Sequence, residues 1–191
     1  MEGLNSDKDR WSKYTGRTFE FDMLGGIDIG DQRYRKLLAE LSRSDGSGYL
    51  DRNRAIELAR ECQSGDPENP DKPFLKDLLC AVQDQLDEAG IETKVRAYTA
   101  VGTPLDHLHG VDAFLSATVG EREYVCTIDV TRNPDKLSSG HKADLIVGEL
   151  PDPTDGKEEE DSYLDGVEKI GNRATVKLLE QINKGQKKIK N

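Results

Sequence analysis

The chain has 191 residues, of which 35% are apolar and 34% charged, with a formal net charge of −10. That length supports one core with accessories, since chains of this size bury roughly 70% of their unfolded surface, and the apolar content excludes wholesale disorder. The acidic balance speaks against the broad basic footprint of a sequence-independent DNA binder, though not against an acidic site that a metal ion would recharge.

Residues 1–30 are polar and glycine-rich and read as an irregular arm with at most short structure, in which Trp11 is a packing anchor. The opening residues carry no apolar signal core and no run approaches a membrane span, so a cytoplasmic location is expected. Asp31 caps a helix predicted to run to about Ser44, with Tyr34, Leu37, Leu38 and Leu41 at helical spacing. Ser44 to Gly48 is a turn that lacks the acidic spacing and terminal glutamate of a calcium loop. Asp51 caps a second short helix carrying Ala55, Ile56, Leu58, Ala59 and Cys62. Together these helices form a hairpin, read as a lid or an arm for a protein partner, so that residues 1–70 make one accessory unit.

Gly65 to Lys72 is a linker. A helix over 74–89 follows, with Leu75, Leu78, Leu79, Val82 and Leu86 on one face and Gly90 as its stop. Three strand signals come next, over 91–101, 111–119 and 124–131, and a fourth short apolar run over 143–147. Residues 151–165 read as an acidic linker whose Glu158-Glu159-Glu160-Asp161 is a solvated charge run. The last helix, over 166–191, carries Val167, Ile170, Ala174, Leu178 and Ile182 and ends in a lysine-rich tail. Cys62, Cys80 and Cys126 are far apart, without zinc or redox spacing, and read as reduced thiols.

The second and third strands are joined by a turn at 120–122. A Gly120-Glu121 loop pairs Val119 with Arg122 and sets Asp112 opposite Asp129. A Glu121-Arg122 loop instead sets Asp112 opposite Thr131, with Asp129 on the diagonal. Both registers put the two aspartates on one face and Val111, Ala113, Leu115, Ala117 and Val119 with Tyr124, Cys126, Ile128 and Val130 on the other. The apolar side must be core, because the alternative buries aspartates among valines, so the aspartates are expected on a polar, accessible face. Carboxylates roughly 5–7 Å apart repel unless a cation or basic group lies between them. Hard divalent ions want such oxygen ligands.

The runs Gly110-Val111-Asp112-Ala113-Phe114-Leu115 and Thr127-Ile128-Asp129-Val130-Thr131 resemble the PD-(D/E)XK nuclease superfamily over residues 74–150. The order of helix then three strands matches that family's opening. The resemblance implies a restriction-endonuclease-like α/β (α+β) fold: a helix plus a three-stranded antiparallel meander, here over 71–150, with an N-terminal helical arm and a C-terminal helix. It implies a Mg²⁺- or Mn²⁺-dependent nuclease acting on nucleic acid, with Asp112 and Asp129 as metal ligands and catalytic acids. The family's lysine position holds Thr131, a departure that leaves Lys136 and Lys142 as replacements and Asp77 as an extra acid. A second departure is the short link over 132–142 where the family has a crossover helix. The fourth run then pairs differently, or the final helix takes over the crossover's packing role.

His107 and His109 flank the site and with His141 would give a nitrogen-rich metal centre, against which the absent Cys–His spacing weighs. As single residues, His107 or His109 would serve as an auxiliary base or phosphate contact. The rival function is a catalytically inactive nuclease fold retained to bind a protein partner. A DNA-mimicking inhibitor ranks last, because the carboxylates are not spaced like phosphates.

Overall fold

The computed structural model describes residues 16–42, 49–133, 135 and 142–187. Trp11, the Ser44–Gly48 turn, Lys136 and His141 lie outside them. The described chain is three layers: helices on each side of a four-stranded mixed sheet. Residues 16–24 form helix α1, followed by α2 (Gln32–Ser42), α3 (Arg52–Glu61), α4 (Pro73–Glu88), β1 (Val95–Thr99), α5 (Pro104–His109), β2 (Ala113–Val119), β3 (Arg122–Val130), β4 (Leu145–Val147) and α6 (Lys157–Lys187).

Side-chain alternation builds the first layer. Val95, Ala97, Ala113, Leu115, Ala117, Cys126, Ile128, Val130, Leu145 and Val147 face one way and pack against α4 and α6. Leu78, Val82 and Leu86 of α4 and Ala174 and Leu178 of α6 are buried in this cluster. The two helices approach closely where a Cβ on Gly171 would come within 3.0 Å of the Ala81 Cβ.

The other face does not stay open, and Val111, expected on the first face, is buried on this one because it precedes the start of β2. Tyr98, Ala100, Phe114 and Val125 are covered by Ile27, Tyr34, Leu50, Ala55, Leu58, Ala59 and Leu105 from the α1–α2 turn, α2, α3 and α5. The N-terminal hairpin is therefore a packed layer of the core and not a projecting arm, because Tyr34, Ala55 and Leu58 bury their apolar stripe on the sheet. Its caps are as read: the Asp51 carboxylate accepts the N–H groups of Asn53 and Arg54.

The strands run β1-β2-β3-β4, antiparallel at the first two junctions and parallel at the third. Val119 pairs with Arg122, which selects the Gly120-Glu121 loop. Gly120 takes φ +62°, the positive φ required at the first central position of a type II′ hairpin. The short fourth run joins the sheet, with Asp129 opposite Ile146, and α6 supplies the layer over β3 and β4. At the outer edge of β1, the N–H groups of Val95, Ala97 and Thr99 donate to Gln83 Oε1, the Pro67 carbonyl and Gln63 Oε1. The edge that would otherwise recruit another strand is thus closed.

Several boundaries differ from the sequence reading: residues 16–24 are helical rather than irregular, and the first strand is Val95–Thr99 rather than 91–101. Residues 157–165 are the first turns of α6 rather than linker, because Glu158, Glu159 and Glu160 complement the positive end of the helix. Residues 104–109, assigned no element in the sequence reading, are helical. Thr103 caps Leu105, Pro104 sits in the first turn, and Gly110 at φ +60° ends the helix.

Candidate metal centre

The site lies at the end of the sheet where β1 leaves and β2 begins. Asp112 stands one residue before β2. Its carbonyl accepts the Ala100 N–H at 2.7 Å and its own N–H donates to the Ile128 carbonyl at 2.8 Å. The backbone is therefore held by both neighbouring strands, and Asp112 Oδ2 accepts the Val130 N–H at 2.8 Å. Asp129 lies on β3, on the same face as Asp112 in the observed register.

The expected accessibility of that face is overturned. Asp112 is 3% exposed and Asp129 2%, because α2, α3 and α5 roof this side of the sheet and α1 closes its end. Segment 25–27 ties α1 to the strands: the Thr99 hydroxyl donates to the Gly25 carbonyl at 3.2 Å and the Ile27 N–H to Val101 at 3.3 Å.

This packing brings in two carboxylates that strand arithmetic did not find. Glu20 comes from α1 and Asp106 from α5, and with Asp112 they offer oxygen atoms that all lie within 4.8 Å of one another. Asp106 is aimed by the Gly102 N–H, which donates to its Oδ2 at 2.9 Å. Burial pushes the Asp112 carboxyl up to about 9, aided by the charge of Glu20 and then those of Asp129 and Asp106, and opposed by the Val130 N–H. The neighbouring charges that push it up are those of other acids. Such a group holds a proton at neutral pH or shares a cation with its neighbours. The donors are all carboxylate oxygens, the set that hard divalent ions such as Mg²⁺, Ca²⁺ and Mn²⁺ prefer over nitrogen or sulfur.

The other sequence-predicted residues fall in varied places. Thr131 is buried, its N–H bonded to the Val147 carbonyl and its hydroxyl accepting the Asn133 N–H at 3.1 Å. Lys142 is exposed and donates to the Leu108 carbonyl at 3.2 Å. Asp77 lies in the opposite layer, where it accepts the Tyr163 hydroxyl at 2.9 Å between α4 and α6. The helical geometry of α5 sends its two histidines apart. His109 is buried, with Nε2 2.9 Å from the Leu50 carbonyl and its ring tilted against Tyr49, so it is a packing residue. His107 is exposed, with Nδ1 3.6 Å from Asp106 Oδ2.

A second polar network braces β3. Asp144 Oδ2 accepts both the Thr127 N–H at 2.9 Å and its hydroxyl at 2.6 Å, and Arg52 of α3 donates to the same hydroxyl oxygen at 2.8 Å and to the Lys142 carbonyl at 3.0 Å. Thr127 precedes Asp129 by two residues on the same face, so this network fixes the α3 layer onto the strand that carries the second aspartate.

Among the described residues no helix is long and apolar enough to cross a membrane. No protein-family model, characterised protein or solved structure matches the chain.

Proposed function

We propose that the chain is a divalent-cation-dependent phosphodiesterase of the nuclease type, with Mg²⁺ or Mn²⁺ held by Asp112, Glu20 and Asp106 and with Asp129 beside them. The observation that carries this reading is the convergence of carboxylates from α1 and α5 on the one buried aspartate at the head of β2. The resemblance of the Asp112 and Asp129 strands to the PD-(D/E)XK pattern supplies the reaction class. A bound divalent ion contributes polarisation of a phosphodiester and activation of water. The protein's part is orientation. Val130 N–H holds Asp112, Gly102 N–H holds Asp106, and the roof of α2 and α3 keeps bulk water from the inner carboxylates.

Thr131 brings no positive charge to the place where the resembled family has lysine. Lys136 or Lys142 would have to supply it, and Lys142 would first leave the Leu108 carbonyl. The test is Mn²⁺-dependent cleavage of labelled DNA and RNA by wild type, Asp112→Asn and Glu20→Gln. Cleavage lost in both variants supports the reading, and cleavage undiminished in Asp112→Asn refutes it.

A second reading is favoured by two observations: the Thr131 hydroxyl is spent on a turn, and both core aspartates are almost fully buried. Under it the chain is a catalytically inactive module that engages a protein partner. A partner complex that survives Asp112→Asn/Asp129→Asn, from a protein without cleavage activity, would select it.

A further inference from the structure

The outer face of α1 carries a small assembly that the carboxylate site does not use. Arg17 and Phe21 are one turn apart, on either side of Glu20 in sequence, and Phe21 is 39% exposed. The Arg17 guanidinium lies 5.9 Å from the centre of the Phe21 ring. Among the described residues it makes no hydrogen bond and no ion pair. Arg35 and Arg173 share this among the described residues, whereas Arg33, Arg52, Arg54, Arg60, Arg96, Arg122 and Arg132 are engaged by carboxylates or other oxygen acceptors.

The exposed ring has a built floor. A Cβ at Gly26 would collide with the Phe21 ring, so the ring lies directly on glycine backbone. The same lip borders the carboxylates. An Arg17 terminal nitrogen lies 3.8 Å from where a Cβ on Gly102 would stand, with Ile29 Cγ2 at 3.9 Å. Gly102 is also the residue whose N–H aims Asp106.

A guanidinium with unspent donors is suited to phosphate, and a supported aromatic face is suited to an unpaired base. A base-paired duplex offers no open base face to such a ring, and tracking its backbone would need the extended basic surface that a −10 chain lacks. We infer that Arg17 and Phe21 form a docking lip for single-stranded nucleic acid, one phosphate on Arg17 and one base on Phe21, which presents the adjoining phosphodiester to the Glu20, Asp106 and Asp112 carboxylates. This rests on the phosphodiesterase reading and names its substrate class.

The test measures two bindings separately on the full chain, each with Arg17→Ala, Arg17→Lys, Phe21→Ala and Phe21→Tyr. Calorimetric titration of Mn²⁺ reports the carboxylates, and fluorescence anisotropy of a labelled 12-nucleotide single strand, with and without Mn²⁺, reports the lip. The inference expects Arg17→Ala and Phe21→Ala to weaken the single strand about tenfold or more and to leave Mn²⁺ affinity and far-UV circular dichroism unchanged. Phe21→Tyr keeps affinity, Arg17→Lys keeps part of it, and Arg17→Ala lowers the salt slope by about 0.7, one phosphate's share on single strands. Unchanged oligonucleotide affinity in both alanine variants overturns the inference even where Mn²⁺ binds. So does equal binding of the matching duplex, no binding of the single strand by wild type, or loss of Mn²⁺ with Arg17→Ala. Failure of wild type to bind Mn²⁺, with the single strand still held through Arg17 and Phe21, sinks the metal reading and leaves the lip standing.

Discussion

Asp112→Asn should make the metal-free protein more stable, and the size of the effect should depend on pH. Asparagine has the same shape, keeps an oxygen for the Val130 N–H, and removes the charge that Glu20, Asp129 and Asp106 oppose. In the unfolded chain the aspartate titrates near 3.8, and in the fold it is pushed up to about 9. Between those values the folded state holds a proton that the unfolded state releases. Wild-type stability therefore falls as pH rises, by at most about 1.4 kcal/mol per pH unit. It is unaffected below the lower value and levels off above the upper one. Across the three or so units from 3.8 to neutrality the ceiling is on the order of 4 kcal/mol, and relaxation around the carboxylate reduces it to about 1–3 kcal/mol. The assay is urea denaturation in EDTA at pH 5 and pH 8. Asparagine should gain over wild type at pH 8 and much less at pH 5. Adding Mn²⁺ should reverse the order, since a ligand at a hundredfold its Kd stabilises the form that binds it by about 2.7 kcal/mol. An asparagine variant less stable than wild type at pH 8 in EDTA, or one with the same pH slope, would refute the account of the site.

Thiol titration should separate the cysteines: Cys80 is exposed and reacts first, Cys62 is slowed by partial burial, and Cys126, whose thiol burial pushes up to about 12, reacts only on unfolding. Prompt labelling of Cys126 in the native protein would contradict the packing of β3 against α6. Leu78→Ala empties a fully buried position between α4 and the sheet and should cost about 2–5 kcal/mol in urea denaturation. Asp144→Ala leaves the Thr127 N–H and hydroxyl without their shared acceptor and should cost about 1–3 kcal/mol, while Asp144→Asn recovers part of that; equal losses in the two variants would show that the acceptor oxygen is not what matters.

The sheet was legible because its chemistry is local. Strict alternation in β2 and β3, with glycine at 120, leaves two registers, and both keep Asp112 and Asp129 on one face. The α4 stripe and the Asp51 cap are equally local. What lay above that face was not legible, since nothing in the spacing of Tyr34, Ala55 or Leu58 says which sheet face a helix covers. That choice turned an expected open, polar face into a buried one. The α5 helix was written in the sequence, as Thr103-Pro104 ahead of Asp106 and Gly110 behind, and reading it would have separated His107 from His109 and brought Asp106 forward. Glu20 had only a weak signal, the spacing of Phe19, Met23 and Leu24 that makes 16–24 a helix with one buried edge. Its approach to Asp112 depends on contacts across more than ninety residues of chain, which no local pattern encodes.

The burial of Asp112 bears directly on whether the centre is functional or incidental. The fold asks little of this side chain: the backbone of residue 112 is held by Ala100 and Ile128, and the side chain adds one bond, to the Val130 N–H. Asparagine would make that bond without placing a carboxylate against Glu20, Asp106 and Asp129. Replacing buried charged groups with neutral ones of similar volume is often neutral or stabilising by about 1–4 kcal/mol. An ion pair would offset the cost of burial, but the charges that push the Asp112 carboxyl up, those of Glu20, Asp129 and Asp106, share its sign. Retaining four acids in one place is therefore expensive for the metal-free fold, and a divalent cation is the agent that converts their mutual repulsion into binding energy. If the charge served stability alone, the asparagine variant would lose stability in EDTA; if it serves a ligand, stability rises and Mn²⁺ binding falls in the same protein.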